Sequence, residues 1–564
     1  MKFEEYTYVR PNLEEYKQSF DLCFKQFKEA STVGAQNEAL KNINDVRNKL
    51  NTMKDLVYIR HTVDTNDVFY KEEQAYLDEV SPEFEEYDSM FYKMLLESKY
   101  RNQLEEKWGK TLFLLAEAKL KTFSPVIIED LKLENKLATD YTQLIASAKI
   151  VWDDKEYTIA QMGPYLQSKD RKVRKKSLKA VFAFMEEHRE EFDTIYDKLV
   201  KVRTQMAQKL GYENYIELGY YRMSRLDYNA DMVAAFREQV KDYIVPLATE
   251  LRKRQGERIG VEHFTFYDES FEFSSGNPVP KGEPEWIIEQ GKKMYEELSF
   301  ETGQFFDYML DNGLMDLVAK KGKAGGGYCT FLPDYKSPFI FSNFNGTSDD
   351  IDVLTHEAGH AFQVFESRHF DIPEYTFPTM EACEIHSMSM EFFTWPWMGK
   401  FFKEDEEKYK FAHLSSALLF LPYGVAVDEF QHFVYGNPDV TPKERNLAWK
   451  SIEEKYLPHR NYDGIAYLES GAFWQRQSHI YQSPFYYIDY TLAQICAFQF
   501  WKRSREDFDS AWADYVKLCR EGGSRTFLEL VKTANLISPF EKGCVESVVG
   551  EISGYLNSID DKAL

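Results

Sequence analysis

The strongest chemical signal in the sequence is a pair of histidines four residues apart, with a glutamate directly after the first. His356, Glu357 and His360 form the pattern His-Glu-Ala-Gly-His. Residues four positions apart lie on the same face of a helix, so two imidazole nitrogens can bind one Zn²⁺. The glutamate can then act as a general base toward water. The alternative interpretation is two histidines hydrogen-bonded in a helical core.

The residues around this pattern predict a helix. Ser348, Asp349 and Asp350 supply an N-terminal cap and negative charge for the first turn. Apolar residues then recur at three- and four-residue spacing: Ile351, Leu354, Ala358, Ala361, Phe362 and Phe365. This stripe neighbours the histidine face, so the histidines should point toward a second element.

A catalytic zinc site needs a third protein ligand and an open position. The stretch 379–395 predicts the next suitable helix, and Glu384 is the expected ligand on it. Glu381, one turn earlier, is the main rival. Glu391 shares a face with Glu384 and is a candidate to hydrogen-bond a ligand histidine, the alternative being an ordinary helix carboxylate.

Three segments resemble the thimet oligopeptidase/oligoendopeptidase F family of zinc metallopeptidases, and most closely its oligoendopeptidase F and Pz-peptidase branch. They are FSNFNGTSDDIDVLTHEAGHAF (341–362), EIHSMSMEFF (384–393) and SHIYQSPFYYIDYTLA (478–493). In that family the third ligand is a glutamate that opens a second helix, with another glutamate seven residues later. The resemblance therefore implies one Zn²⁺ per chain, held by the two motif histidines and by Glu384 rather than Glu381.

The resemblance also implies a downstream histidine and tyrosines that contact the substrate and its reacting carbonyl oxygen. The matching positions are His479, Tyr486, Tyr487 and Tyr490. The thimet branch has two glycines before its tyrosines, whereas this chain has the different stretch 480–484, and the spacing is shifted. We expect Tyr490 to donate to the oxyanion, with Tyr486 and then Tyr487 as alternatives.

Hydrophobic periodicity predicts a mainly α-helical protein with one small sheet. Residues 149–159 predict a hairpin, and alternation over 263–273 and 328–344 predicts strands. The resemblance implies two helical lobes that enclose a deep substrate channel, with a small sheet beside the zinc motif. We expect an N-terminal helical lobe over 1–165 and a catalytic region over 166–564, with interleaved lobes as the alternative. Residues 339–344 are interpreted as a strand that pairs with the substrate backbone, or else as an ordinary buried strand.

Composition excludes several classes of function. Lys and Arg total 69 against 93 Asp and Glu, a net charge of −24, which argues against a nucleic-acid partner. We expect no membrane-spanning helix, because no uninterrupted apolar run reaches about 18 residues. The first residues lack the apolar core of a signal peptide, and six scattered cysteines fit a reducing compartment, so we expect a cytoplasmic protein.

The zinc motif and the family resemblance together imply a cytosolic zinc metalloendopeptidase that cuts internal bonds of short, unstructured peptides. Likeness to the Pz-peptidase branch suggests collagen-derived or Pro- and Gly-containing peptides. One alternative is an exopeptidase that binds the substrate carboxylate through Arg460 or Arg476. The others are a non-catalytic peptide-binding protein and a metalloenzyme that acts on something other than peptides. The sequence does not distinguish a monomer from a weak oligomer.

Overall fold

A computed structural model describes residues 1–320 and 322–564 of the chain. This part of the protein is mainly α-helical, as predicted. The helices are α1 (Leu13–Glu29), α2 (Val33–Val63), α3 (Val68–Leu96), α4 (Arg101–Trp108), α5 (Lys110–Thr122), α6 (Ile128–Ala146), α7 (Gly163–Leu166), α8 (Arg171–Glu187), α9 (Arg189–Lys209), α10 (Tyr215–Arg222), α11 (Ala230–Gln239), α12 (Val245–Arg258), α13 (Pro284–Leu298), α14 (Phe300–Asp311), α15 (Asp349–Ser367), α16 (Met380–Phe393), α17 (Gly399–Phe402), α18 (Glu406–Gly436), α19 (Pro442–Tyr456), α20 (Ala466–Glu469), α21 (Ser478–Gln482), α22 (Tyr487–Glu506), α23 (Phe508–Glu521), α24 (Phe527–Thr533) and α25 (Cys544–Asn557). The strands are β1 (Ile150–Trp152), β2 (Lys155–Tyr157), β3 (Met315–Val318), β4 (Tyr328–Leu332) and β5 (Ser337–Phe344).

The described residues divide into two compact units, each assembled from three chain segments. The first unit contains Met1–Leu120, Val279–Glu406 and Cys496–Ser538, and the second contains Lys121–Pro278, Glu407–Ile495 and Pro539–Leu564. The His-Glu-Ala-Gly-His motif therefore belongs to the first unit and the tyrosine-rich segment to the second. The domain boundary at 165/166 stays a prediction.

A three-stranded sheet lies against α15 in the first unit. Its strand order is β3-β5-β4, with β5 parallel to β3 and antiparallel to β4. The predicted sheet beside the motif is thus confirmed. The interpretation of residues 339–344 as a strand that receives substrate is wrong, because β5 is hydrogen-bonded on both sides and almost wholly buried. The edge strands of the sheet are β3 and β4.

The predicted hairpin near residue 150 forms in the second unit. β1 and β2 pair antiparallel, with Trp152 opposite Lys155. Asp153 and Asp154 connect them with φ angles of 46° and 61°. Two successive left-handed residues make the type of tight turn whose twist matches that of paired strands.

The strand predicted at 263–273 does not form. The segment instead contains a 3₁₀ turn at Phe266–Asp268. The Asp268 side chain is fully buried and accepts hydrogen bonds from Arg171 Nη2 at 2.8 Å and Arg174 Nη2 at 2.7 Å. It also accepts from the Thr265 backbone N–H at 3.1 Å. These bonds close a turn, because side chains that bond their own backbone compete with strand pairing.

Helix α15 carries the motif and packs closely against α16. Gly359 lies at the point of nearest approach, where a Cβ atom would stand 2.7 Å from the His386 carbonyl oxygen and 2.7 Å from Ser387 Cα. Both neighbours are backbone atoms, which cannot move without moving the helix. The spacing of the two helices therefore requires a residue without a side chain at position 359.

One helical stretch, Gly399–Gly436, is long and apolar enough by composition to cross a membrane, with a mean hydropathy of 1.3. Within its most apolar window, 72% is buried inside the protein. This burial is typical of a core helix, so length and composition are weak evidence that the stretch spans a membrane.

Gly359→Ala should lower the stability of the protein. The added methyl group would overpack the α15–α16 contact, which typically costs about 1–3 kcal/mol. Thermal unfolding of the variant measures this loss as a lower Tm. Gly34→Ala in α2 is the matched control, because its nearest neighbour would be Thr32 Oγ1 at 3.8 Å. An equal Tm for the two variants would contradict the close-packing argument.

Candidate metal centre and active site

Two histidines of α15 and one glutamate of α16 bring their ligand atoms together. His356 Nε2 lies 3.3 Å from Glu384 Oε2, and His360 Nε2 lies 3.6 Å from the same oxygen. The three ligand atoms lie within 4.8 Å of one another. Ligands that share one tetrahedral Zn²⁺ at about 2.0–2.2 Å stand roughly 3.3–3.5 Å apart, so this donor set fits the metal.

Each of two ligands is oriented by a further side chain on α16. His356 donates from Nδ1 to Glu391 Oε1 at 2.7 Å, which leaves Nε2 as its ligand atom. Ser387 Oγ donates to Glu384 Oε2 at 3.0 Å. Glu391 thus occupies the position that the sequence analysis suggested for it. Among the described residues, Glu381 is outside the group of ligand atoms.

Glu357 lies beside this group with a buried and unengaged oxygen. Glu357 is 7% exposed, and its Oε2 atom has no hydrogen-bond partner within the described residues. A buried carboxylate oxygen without a partner is costly unless a ligand or water occupies the site. The arrangement therefore fits a carboxylate that takes up a proton from a bound water molecule.

The glycine-rich turn before β4 borders this carboxylate. A Cβ atom on Gly327 would lie 3.2 Å from Glu357 Oε1 and 3.1 Å from Val353 Cγ1. Gly325, in the same turn, has open space around it. The sequence pattern of the turn does not indicate this contact, which depends on how the turn packs against α15.

Charge and burial act in opposite directions on the two carboxyl groups of the site. Burial raises the pKa of Glu357, and the nearby His356 and His360 only partly offset this effect. Burial also opposes ionisation of Glu384, but the charge of His360 and hydrogen bonds with both histidines outweigh it and lower the pKa of Glu384. Glu384 is thus the carboxylate that stays ionised, as a candidate metal ligand requires, and Glu357 is the better proton carrier.

All six cysteines, including Cys329 and Cys383 near the motif, are outside disulfide bonds in the part of the chain that the structure describes. Burial raises the pKa of Cys329 well above its usual value, and Glu357 and Cys383 add to the effect. The Cys329 thiol is therefore uncharged at neutral pH and a weak nucleophile.

In the second unit, His479 and the three tyrosines predicted to contact substrate form a ring cluster. Their centroid distances run from 5.0 Å, for His479 with Tyr487 and for Tyr486 with Tyr490, to 5.9 Å for His479 with Tyr490. Burial raises the pKa of Tyr487 well above its ordinary value, so it stays a neutral O–H donor.

Two residues that the sequence analysis missed hold His479. Gln477 Nε2 donates to His479 Nδ1 at 2.7 Å, and Tyr423 Oη donates to Gln477 Oε1 at 2.9 Å. Because its Nδ1 accepts, neutral His479 carries its proton on Nε2 and can donate from there. Gln477 is two residues from the histidine, but nothing in the sequence relates Tyr423 to it.

Comparison with known proteins identifies the family. Residues 3–123 match the model of the peptidase M3 N-terminal domain, and residues 164–275 and 290–549 match that of peptidase family M3. The chain belongs to peptidase family M3. Its resemblance to the oligoendopeptidase F branch is confirmed, and this M3 peptidase is a metallopeptidase that hydrolyses oligopeptides.

Individual relatives agree with this assignment. The structure of Pz peptidase A with inhibitor 2 is 65% identical, with a TM-score of 0.95 over 100% of both chains. An oligoendopeptidase F homologue of Borreliella burgdorferi is 23% identical over 76% of this chain and 74% of its own length. Oligopeptidase PepF of Bacillus subtilis is 21% identical over 70% of this chain and 58% of its own.

Gly327→Ala should reduce peptide hydrolysis by this M3 peptidase by at least about tenfold, because the new methyl group crowds Glu357 and displaces its carboxylate. The measurement is kcat on a quenched fluorescent peptide, with bound metal quantified in the same sample. Gly325→Ala is the matched control in open space and should keep wild-type turnover. Equal rates for the two variants would show that the contact with Glu357 has no catalytic consequence.

Proposed function

We propose that this M3 peptidase is a cytoplasmic, zinc-dependent oligoendopeptidase that cuts internal bonds of short, unstructured peptides. The observation that carries the proposal is the His356, His360 and Glu384 donor set beside the unengaged Glu357 oxygen. Two imidazoles and one carboxylate with an open position form a donor set typical of catalytic zinc. Residues Ser387 and Glu391 would keep the ligands in place.

Zn²⁺ at this donor set would act as a Lewis acid, lowering the pKa of a water molecule toward about 7 and polarising the scissile carbonyl. Glu357 then removes a proton from the attacking water as the oxygen bonds to the carbonyl carbon. When the carbon–nitrogen bond breaks, Glu357 delivers that proton to the leaving amine. Its raised pKa suits both transfers, since a proton carrier works best near the operating pH.

We further propose that the cluster in the second unit stabilises the negative oxygen of the tetrahedral intermediate. Tyr490 is the first candidate donor, followed by Tyr486 and Tyr487, and His479 can donate from Nε2. The support is the family resemblance of this segment and the hydrogen bond that fixes the His479 tautomer. A donor of this kind is typically worth about 10²–10³ in rate.

The exopeptidase alternative needs a cation for the substrate carboxylate. One of its two candidate arginines already forms ion pairs within the protein. Arg460 pairs with Glu269 at 3.3 Å and with Glu453 at 3.2 Å, and its side chain is 9% exposed. Arg476 is exposed and remains the other candidate. The engagement of Arg460 favours the endopeptidase.

We extend the proposal to collagen-derived or Pro- and Gly-containing peptides as preferred substrates. Its support is the likeness to the Pz-peptidase branch. We also assign substrate pairing to β4 instead of β5, because β4 is a margin of its sheet and begins next to the turn that contacts Glu357.

Glu357→Gln should retain the metal and lose nearly all turnover, because the amide cannot accept a proton. The assay is cleavage of an internally quenched peptide capped at both termini, with zinc measured by elemental analysis. Chelation should stop the wild-type enzyme, and added Zn²⁺ should restore it. Glu366→Gln is the control on the same helix, where the carboxylate pairs with Arg520.

Turnover of Glu357→Gln near that of wild type would exclude Glu357 as the general base. A capped peptide that survives while a free C-terminus is trimmed would establish the exopeptidase instead. Bound zinc without cleavage of either peptide would favour a peptide-binding protein.

Substrate pairing with β4 predicts an alternating effect of ester bonds in the substrate. Replacing one amide N–H by oxygen, away from the scissile bond, removes a donor, and a strand turns alternate donors toward its neighbour. Esters at every second position should lower kcat/KM about fivefold, as expected for one lost hydrogen bond. A uniform effect along the peptide would contradict pairing with a strand.

A further inference from the structure

The turn before α22 places a non-glycine residue in a left-handed conformation. Phe485 has a φ angle of +68° and is fully buried. Such a conformation is unfavourable for a residue with a bulky side chain and persists only where the surroundings enforce it. Tyr486 and Tyr487 follow directly, so this turn determines the direction in which the tyrosine segment begins.

Hydrogen bonds hold the backbone of this turn on both sides. The Phe485 N–H donates to Gln431 Oε1 at 2.8 Å, and the Phe485 carbonyl accepts from Arg225 Nη2. The same Arg225 nitrogen donates to Asp489 Oδ1 at 2.8 Å, and both of these side chains are fully buried. Arg225 therefore ties the turn to the first turn of α22, between Tyr487 and Tyr490.

A glycine on α10, Gly219, leaves room for the Phe485 ring. A Cβ atom on Gly219 would lie 2.6 Å from a ring carbon of Phe485. The ring also packs against His432 and Tyr435, with centroid distances of 4.9 Å and 5.5 Å. With protein on several sides, the ring cannot move away from an added methyl group without moving its own backbone.

These features are poorly explained by stability alone. A left-handed phenylalanine is strained, and a buried ion pair such as Arg225–Asp489 often contributes little net stability because both charges are desolvated. The arrangement does hold the backbone in one conformation where it enters α22. Strain and buried charge of this kind are typical of segments that position functional side chains.

We propose that Arg225, Gly219 and Gln431 are positioning residues that fix the Phe485 turn and thereby aim the tyrosine cluster at the reacting carbonyl oxygen. The inference rests on the proposed role of this cluster as the oxyanion donor. It assigns a catalytic consequence to three residues that lie outside both the candidate metal ligands and the tyrosine cluster.

The test places Gly219→Ala in four backgrounds: wild type, Tyr486→Phe, Tyr487→Phe and Tyr490→Phe. In the wild-type background kcat should fall at least about tenfold with KM and bound zinc unchanged, because a displaced donor acts only in the transition state. In the background that already lacks the donor hydroxyl, Gly219→Ala should have no further effect on kcat. Gly550→Ala, at an exposed helical glycine with open space around it, is the control and should leave kcat unchanged.

The crossed variants separate positioning from general destabilisation. An equal fall in kcat in all four backgrounds, or an unchanged kcat in a folded Gly219→Ala variant, would overturn the inference. If Gly219→Ala does not fold, Gln431→Met takes its place in the same four backgrounds, since it removes the acceptor of the Phe485 N–H while keeping a side chain of similar length. The proposed function of the cluster has its own readout: it fails if none of the three Tyr→Phe variants lowers kcat.

Discussion

The contact of α15 with α16 at Gly359 is the constraint on which the metal centre depends. The two histidines are placed by the period of one helix, but Glu384 reaches them only because α16 lies against the backbone of α15. The same face of α16 supplies Glu391 and Ser387, which orient two of the ligands. One close helix pair therefore supplies the candidate ligands and their supports, and the sheet β3-β5-β4 also packs against α15.

The second unit relies on buried ionic groups that satisfy one another. Glu134 is buried between Arg203 and Arg222, and although burial opposes its ionisation, the two guanidinium groups lower its pKa to about 2. Such groups are expensive to bury, and each must keep its partners. Their directional bonds set the relative positions of helices that apolar packing alone would leave less specific.

Local patterns in the sequence were sufficient for the features that depend on a few neighbouring residues. The motif helix, the hairpin with its two aspartates and the placement of His356 and His360 on one helix face are of this kind. Glu384 was separated from Glu381 only through family resemblance, because the choice depends on contact between two helices. The strand expected at 263–273 failed because Arg171 and Arg174, far away in sequence, bind Asp268.

The order of strands in a sheet is likewise a property of tertiary structure. An apolar run such as 337–344 has the same sequence pattern whether its strand lies at the centre or at the edge of a sheet. Only the pairing partners distinguish these two positions. Two further features could not be predicted because they also depend on tertiary contacts. They are the support of His479 by Tyr423 and Gln477, and the space that Gly219 leaves for Phe485.

The assembly of each unit from three chain segments has a consequence for synthesis on the ribosome. The first unit is incomplete until Cys496–Ser538 has emerged, since α23 supplies Trp512, which stacks on Phe362 of the motif helix. At about 5–20 residues per second, translation of the chain between Leu120 and Cys496 takes roughly 20–75 s. For much of that interval the apolar faces of α1 to α5 lack their partners Ile372 and Tyr375. Until these partners emerge, the nascent chain therefore exposes apolar surface of the kind that chaperones bind, and the motif helix lacks its contact with α23.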